Sequence, residues 1–356
     1  MIYYFTKQEN ISLEYLLEIT RIVDGAVKGD RSKVHGYVQQ LGRKLREAGE
    51  VKAADRLERC LCTVENSDVA LSRTLSPARL PVDQDSRLPL GDEEWVSTDS
   101  APVVLDSSVT EKVEQFLAFV SAADKLIANG VGISPTLITY GPPGVGKTQL
   151  ARHIAGRLGL PLLTCRTDSL ISSFLGNTAR NLRMLFDHAH SRPCVLFLDE
   201  IDSLAKQRDD HHEMGELKRV VVSLLQNIDS LHDETILIAA TNHHHLLDPA
   251  LWRRFAYKIE MPMPDIHARK AMLRLFVGEV CVSDTLGEIS ELADGLSGSD
   301  IRLACSSAIR SAVIRGKETI SEEDLLREIL LTRRKARLQR LTRKAFWRYV
   351  KLHRNS

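Results

Sequence analysis

The chain has 356 residues, 43% of them hydrophobic, which is enough for about two domains with buried cores. Its 48 lysines and arginines nearly balance 47 aspartates and glutamates, so the overall charge implies no bulk polyelectrolyte behaviour. The six cysteines show no paired zinc spacing, and no apolar stretch has the length of a signal-peptide core or a membrane span. We therefore expect a reduced, cytoplasmic protein without a membrane segment.

Residues 1–64 are predicted to form a small helical N-terminal domain. Apolar residues recur there at helical spacing in three runs, which Gly29 and Gly49 separate. Such a unit is typical of an adapter or docking module, and the alternative is an extension that packs on the main domain. Residues 65–100, rich in Ser, Pro, Asp and Arg, predict a flexible linker.

Strand and helix patterns alternate over residues 101–264. The alternation predicts an α/β fold, a parallel sheet with helices on both faces and a ligand at the carboxyl ends of its strands. Residues 265–331 carry only helical patterns and predict an all-helical lid. Residues 332–356 predict a basic helix, because from Arg333 onward there are ten lysines and arginines and no acidic residue.

A glycine-rich turn joins the first predicted strand of this domain to a helix. It consists of Gly141, Pro142, Pro143, Gly144, Val145, Gly146, Lys147 and Thr148, and Gln149 is the next residue of the helix. Glycines let the backbone bend around an anion, so that its N–H groups and the helix dipole face that anion. The Lys147 ammonium can reach the β- and γ-phosphates of a nucleotide, and the Thr148 hydroxyl can bind Mg²⁺.

Another predicted strand ends in two carboxylates, Asp199 and Glu200, about fifty residues after the turn. In a nucleotide site the first would hold Mg²⁺ through its water shell, and the second would orient and deprotonate the attacking water. The glycine-rich turn alone could be a chance match. The two motifs together predict a nucleoside-triphosphate hydrolase.

Five motifs resemble, in order, those of AAA-type ATPases. They are the turn 141–148, the acidic strand 195–202, the strand end 239–242, and residues 247–251 and 295–301. The resemblance covers residues 103–331 and implies a protein-remodelling ATPase that binds ATP and Mg²⁺. It also implies that Asn242 senses the γ-phosphate, that Gly298 lies against the adenine, and that Ser299 belongs to the same nucleotide site.

Arg253 and Arg254 stand where ATPases of this type carry arginine fingers. A planar guanidinium offers two directed donors to the phosphoryl oxygens on which charge accumulates. The resemblance implies that a neighbouring subunit supplies the finger, so that hydrolysis requires a homo-oligomeric ring, usually a hexamer. The alternative is an arginine pair that merely solvates a sheet edge.

Phe174 and Leu175 lie where AAA unfoldases have an aromatic, apolar pore loop. A ring of such side chains could grip an extended polypeptide without sequence preference, because apolar burial does not demand one particular residue. The alternative is that Phe174 packs under its own loop. The resemblance also implies a second, polar pore loop at 206–212 and a subunit contact at Arg219.

Two further stretches depart from the family pattern. His243, His244 and His245 follow the sensing asparagine and predict a polar loop rather than a metal site, because three consecutive histidines cannot face one side of a strand. Arg302, in the lid, is interpreted as an ordinary surface arginine, with a contact to phosphate as the alternative.

A closer resemblance, carried by residues 104–106, 170–179 and 252–255 and by the helical N-terminal unit, is to bacterial AAA ATPases of anti-phage (antiviral) defence. These are encoded beside a subtilisin-like serine protease, so the resemblance implies a protease partner and a polypeptide substrate. Two alternatives remain. One is a nucleic-acid-dependent ATPase of the clamp-loader or initiator kind, which the aromatic residues among the C-terminal arginines support. The other is a nucleotide-switched scaffold. The basic tail itself is interpreted first as a solvated amphipathic helix that packs on the ring or on a partner.

Overall fold

The computed structural model describes residues 15–28, 31–57, 80–83, 87, 89–97, 101–165, 175–191, 193–205, 214–231, 235–278, 286–317 and 319–353. The chain divides into two compact units. The first contains the N-terminal helices and most of the sheet domain. The second contains residues 103–112, the glycine-rich turn 141–147 and the chain from Glu260 onward.

A six-stranded sheet is the centre of the first unit. Its strands are β1 Gly91–Glu94, β2 Thr136–Tyr140, β3 Leu162–Cys165, β4 Val195–Leu198, β5 Ile236–Thr241 and β6 Tyr257–Glu260, in the order β1-β3-β4-β5-β2-β6. The four central strands are parallel, with Leu162 opposite Val195, Val195 opposite Ile236 and Thr136 opposite Leu237. All residues of β4 and β5 are buried, as expected of parallel strands covered on both faces. The predicted α/β fold is confirmed.

Helices connect the strands and build the second unit. They are α1 Leu16–Lys28, α2 Arg31–Glu47, α3 Ser107–Ser121, α4 Ala123–Ala128, α5 Lys147–Leu158, α6 Leu175–His190, α7 Asp202–Ala205, α8 Met214–Asp229, α9 Pro249–Arg254, α10 Ile266–Val277, α11 Leu286–Leu292, α12 Gly298–Ile314 and α13 Glu322–His353. Helices alternate with strands from β2 to β6, as crossovers between parallel strands require. No helix in the described part of the chain is long and apolar enough to cross a membrane.

The N-terminal helices pack on the sheet domain within the first unit. The guanidinium of Arg43, on α2, lies 4.4 Å from the centre of the Trp95 ring and donates a hydrogen bond to the carbonyl of Gly159. Between α1 and α2, fully buried Glu18 accepts a 2.6 Å bond from the Lys44 ammonium. These contacts favour an extension of the main domain over a tethered docking module.

Part of the predicted linker is folded. Strand β1 pairs antiparallel with β3, with Gly91 opposite Cys165, and Leu90 is fully buried in the main core. Upstream, the Asn181 amide donates a 2.8 Å hydrogen bond to buried Asp83. The interpretation of residues 65–100 as a flexible linker is therefore wrong for residues 89–97, which belong to the sheet domain.

The helical lid has its own apolar core in the second unit. Its most deeply buried large side chains, at 1% exposure or less, are Leu273, Ile289, Leu296, Ile301, Leu325 and Ile329. Helix α13 continues without interruption to His353. The predicted lid end and the predicted basic helix are therefore one helical element.

Candidate active site

The phosphate loop has a shape that only glycine permits at two positions. Gly141 and Gly144 have φ values of 147° and 81°. A Cβ at Gly141 would overlap the carbonyl oxygen of Met261, and a Cβ at Gly144 would overlap the Ser299 hydroxyl. The sequence thus builds a backbone turn with no room for a side chain at these two positions, as close approach of the backbone to a phosphate requires.

Lys147 is the first residue of α5 and folds over this loop. Its ammonium donates hydrogen bonds to the carbonyls of Gly141 and Pro142, at 2.9 and 2.8 Å, and its side chain is buried. The same ammonium donors suit phosphate oxygens, and the helix start adds favourable backbone potential for an anion. The residues present therefore fit a nucleotide polyphosphate.

The lid closes over the loop within the second unit. The amide of Ser299 donates a 3.0 Å bond to the carbonyl of Gly144, and a Cβ at Gly298 would lie 3.4 Å from that same oxygen. Helix α12 starts here with a capping box between Ser297 and Asp300. Gly298 and Ser299, both predicted to bind nucleotide, are thus held against the phosphate loop by the cap of their own helix.

A cleft in the second unit adjoins Val145 of the phosphate loop. Its lining is mostly aliphatic and includes Val104, Leu105, Val109, Val145, Met261, Pro262, Met263, Pro264, Ala268 and Met272. Sequence reasoning assigned none of these side chains except Val145 to the site. The signal was present in the sequence as the apolar pair 104–105 and the Met-Pro-Met-Pro run 261–264, but neither has a diagnostic spacing.

The predicted metal-binding pair, Thr148 and Asp199, lies in the first unit. The Thr148 hydroxyl donates a 2.8 Å bond to one carboxylate oxygen of Asp199, and the amide of Glu200 donates a 2.9 Å bond to the other. A hydroxyl and a carboxylate are the hard oxygen ligands that Mg²⁺ prefers, so these residues fit that ion. Glu200 is exposed and has a φ of 49°, a strained conformation for a residue with a side chain. Glu200 lies two residues beyond the end of β4.

Asn242 lies at the same edge of the sheet. It follows β5 directly, and β5 is the neighbour of β4, with Leu198 opposite Ala239. Flanking bonds fix its position: the Thr241 hydroxyl donates to Asp202 at 2.9 Å and accepts from the amide of His243 at 3.0 Å. The predicted sensing residue is therefore next to the acidic strand end.

The two predicted finger arginines differ in their contacts. Arg254 makes two hydrogen bonds to Asp229, of 2.6 and 2.9 Å. These bonds lower the pKa of Asp229 and raise the pKa of Arg254. Arg253 is exposed and makes no hydrogen bond or ion pair with any residue in the described ranges. Of the two predicted finger arginines, Arg253 is thus the one without an ion-pair partner among the described residues.

Several predicted positions fall outside the described residues or outside the site. Phe174 and the polar segment 206–212 lie outside the described ranges, whereas Leu175 is the first residue of α6. His243 precedes a short 3₁₀ turn that contains His244 and His245. Among the described residues, no group of three or more His, Cys, Asp or Glu is placed to hold a metal ion. Arg302 stacks on Phe276 within the lid, with its guanidinium 5.7 Å from the ring centre. That contact agrees with an ordinary lid arginine.

The fold and these residues define a P-loop nucleoside-triphosphatase with a helical lid. Residues 137–263 match the family described as "ATPase family associated with various cellular activities (AAA)", and residues 283–327 match the "AAA+ lid domain". The chain therefore contains an AAA-family ATPase domain followed by its lid.

Three proteins with similar sequences support this assignment of the ATPase domain. The chain is 40% identical over 207 residues to an uncharacterized AAA family ATPase of Sinorhizobium fredii, covering 58% of this chain and 63% of that protein. It is 36% identical over 210 residues to a proteasome-activating nucleotidase of Methanoculleus marisnigri, covering 56% and 51%. It is 33% identical over 229 residues to an ATP-dependent zinc metalloprotease FtsH of Thermomicrobium roseum, covering 62% and 35%. The match thus spans less than two thirds of each of these relatives.

Proposed function

We propose that the chain hydrolyses ATP as one subunit of a homo-oligomeric ring, a hexamer by family resemblance, that remodels polypeptides. The contrast between the two arginines carries this proposal. The guanidinium of Arg254 forms an ion pair with Asp229, whereas Arg253 is exposed and has no ion-pair partner among the described residues. A guanidinium that has no ion-pair partner among the described residues can serve as an arginine finger in the active site of the next subunit, whereas one already bonded to a carboxylate is less suited to that role. Each hydrolytic centre then needs two chains.

The division of labour follows from the site residues. Thr148 and Asp199 would hold Mg²⁺, which would supply charge neutralisation on the phosphoryl group that is transferred. Lys147 binds the phosphates, and Glu200 accepts the proton of the attacking water. Asn242 hydrogen-bonds the γ-phosphate from the neighbouring strand end, and Arg253 of the next subunit stabilises the transition-state charge, an effect worth about 10³–10⁵ in turnover.

A polypeptide is the proposed substrate. One relative is named as a proteasome-activating nucleotidase and another as an ATP-dependent protease, which supports work on proteins. Phe174 and Leu175, which immediately precede and begin α6, are the proposed grip. We expect Phe174→Ala to leave ATP binding intact and to abolish remodelling. Undiminished remodelling by this variant would remove the threading proposal but not the ATPase.

A subtilisin-like protease partner, a role in phage defence and a cytoplasmic location are finer proposals that rest on the resemblance of residues 104–106, 170–179 and 252–255. The Glu200→Gln variant should hold ATP and an assembled ring, and it is the form with which to test purified candidate proteases. Protease activity that depends on ATP and on this chain would support the pairing.

One observation favours a second candidate function, a nucleic-acid-dependent ATPase. The second half of α13 continues the lid as a helix without acidic residues, and Leu338 at its start is 54% exposed. DNA that stimulates hydrolysis in the full chain, but not after deletion of residues 333–356, would favour this function.

The experiment that tests the shared site is subunit mixing. Glu200→Gln chains bind ATP and offer Arg253, and Arg253→Ala chains have an intact site but offer no finger. Each variant alone should be nearly inactive. An equimolar mixture should regain about a quarter of wild-type turnover, because half the subunits can hydrolyse and half of those have a finger beside them. A mixture as inactive as its components would overturn the shared site.

A further inference from the structure

Three aromatic rings form a cluster at the strand ends of the first unit. Tyr140 contacts His244, with ring centres 4.8 Å apart, and Trp252, with ring centres 5.2 Å apart. His244 and Trp252 are 6.2 Å apart, so each ring neighbours both of the others. We call this set, Tyr140, His244 and Trp252, the aromatic cluster.

Each member is attached to a segment that carries a site residue. Tyr140 ends β2 and directly precedes Gly141 of the phosphate loop. His244 comes two residues after Asn242, and Trp252 directly precedes Arg253. The cluster is therefore the place where the loop strand, the sensing strand and the finger helix meet through side chains.

The finger helix α9 is anchored on its inner side by other contacts. Leu251 is fully buried, and Arg254 is held by Asp229 through its guanidinium and by the Thr136 hydroxyl through its carbonyl oxygen. Residues 251 and 254 share one face of a helix, because they are three positions apart. These anchors hold one face of α9, and the contacts of Trp252 in the aromatic cluster further restrict its rotation.

The position of Arg253 depends on that rotation. Trp252 and Arg253 are consecutive, so a turn of the helix that moves one moves the other. Rings packed edge-on or tilted, at 72° between Tyr140 and Trp252 and 55° between Tyr140 and His244, have a preferred geometry and resist sliding. The Lys258 ammonium, 5.8 Å from the centre of the Trp252 ring, holds the indole from another side.

We propose that the aromatic cluster positions Arg253, with Trp252 and His244 as positioning residues that act on the active site of the neighbouring subunit rather than on their own. The proposal rests on the shared site proposed above. Tyr140 ends β2 and His244 lies three residues after the end of β5, so the cluster packs the finger helix α9 against the strand ends of its own subunit.

Subunit mixing distinguishes this role from a general structural one. Trp252→Ala or His244→Ala is placed either on the Glu200→Gln chain, which supplies the finger, or on the Arg253→Ala chain, which supplies the hydrolytic site. On the finger-supplying chain we expect kcat of the mixture to fall by about tenfold or more, since misplacement by about 1 Å costs up to 10²-fold, with KM for ATP unchanged. On the other chain the same substitution should leave kcat unchanged.

The controls separate the possible failures. His244 is exposed, so His244→Ala tests the cluster even where Trp252→Ala disturbs folding. Trp252→Phe keeps a ring against Tyr140 and should retain kcat within about threefold. The His245 ring lies 5.7 Å from that of His244 but is in ring contact with neither Tyr140 nor Trp252, so His245→Ala is the comparison variant and should lower kcat less than His244→Ala. Equal losses from both chains, or no loss from the finger-supplying chain, would overturn the positioning role. An inactive starting mixture would instead overturn the shared site.

Discussion

Replacing Gly144 by alanine tests whether the phosphate loop depends on its fit to the lid helix α12. The φ of 81° at Gly144 costs a residue with a Cβ about 1–2 kcal/mol. The added methyl group would overlap the Ser299 hydroxyl and lie 2.7 Å from the Ser297 hydroxyl. Separating these groups also breaks the 3.0 Å bond from the Ser299 amide to the Gly144 carbonyl, a loss of about 1 kcal/mol.

The combined penalty is about 2–3 kcal/mol and should appear in nucleotide binding. The free variant relaxes away from the strained loop, so binding must restore that geometry. Titration with a fluorescent ATP analogue should therefore give a Kd for Gly144→Ala that is roughly 30- to 150-fold higher than that of the wild type.

Three further variants isolate the cause. Gly130 has a φ of 74° and open space around it, so Gly130→Ala adds backbone strain without a collision. Gly132 has open space and no left-handed φ, so Gly132→Ala adds neither. Both should keep the wild-type Kd, and Ser299→Ala in the Gly144→Ala background should recover part of the lost affinity. A wild-type Kd for Gly144→Ala, or no recovery with Ser299→Ala, would refute the reasoning.

Three other expectations concern single contacts. Glu200→Gln should lower single-turnover hydrolysis by about 10²–10⁴-fold with nucleotide affinity retained, and near-normal hydrolysis would remove Glu200 as the base. Asn181→Ala leaves a buried carboxylate, Asp83, without its amide donor; thermal melting should show a loss of about 1.5–3 kcal/mol, and an unchanged Tm would contradict the buried bond. The bond from Arg254 depresses the pKa of Asp229 below its ordinary 3.8, so its stabilisation is complete above that pH and is lost as pH falls through the folded-state value. Acid unfolding should therefore begin at higher pH in Arg254→Met and depend less on pH in Asp229→Asn, and identical acid profiles would count against the pair.

The placement of the candidate site residues was predictable because it is encoded locally. The turn 141–148 and the acidic pair Asp199 and Glu200 each follow an apolar strand, and parallel strands bring such ends to one edge of a sheet. The pairing of Thr148 with Asp199 follows from that placement. Short sequence patterns carry this information, so no knowledge of distant contacts was needed.

Features that depend on distant partners were not predictable. Arg253 and Arg254 look equivalent in sequence, and only Asp229, 25 residues earlier on α8, distinguishes them. Strand β1 was missed because the sequence Gly-Asp-Glu-Glu has no β-strand signal and gains its structure only by pairing with β3. The docking of the N-terminal helices likewise rests on contacts such as that between Arg43 and Trp95, which no periodicity reveals.

The acidic strand β1 also has a practical consequence for expressing the ATPase domain alone. It covers the outer side of β3, so a chain shortened to begin at residue 101 would leave the backbone N–H and C=O groups of β3 unpaired. Bare sheet edges of this kind recruit strands from other molecules, whereas two glutamates and an aspartate at the margin discourage such pairing by their charge. We expect an ATPase domain that begins at residue 101 to self-associate. A domain that begins upstream of residue 80 retains β1 and so keeps the edge of β3 paired.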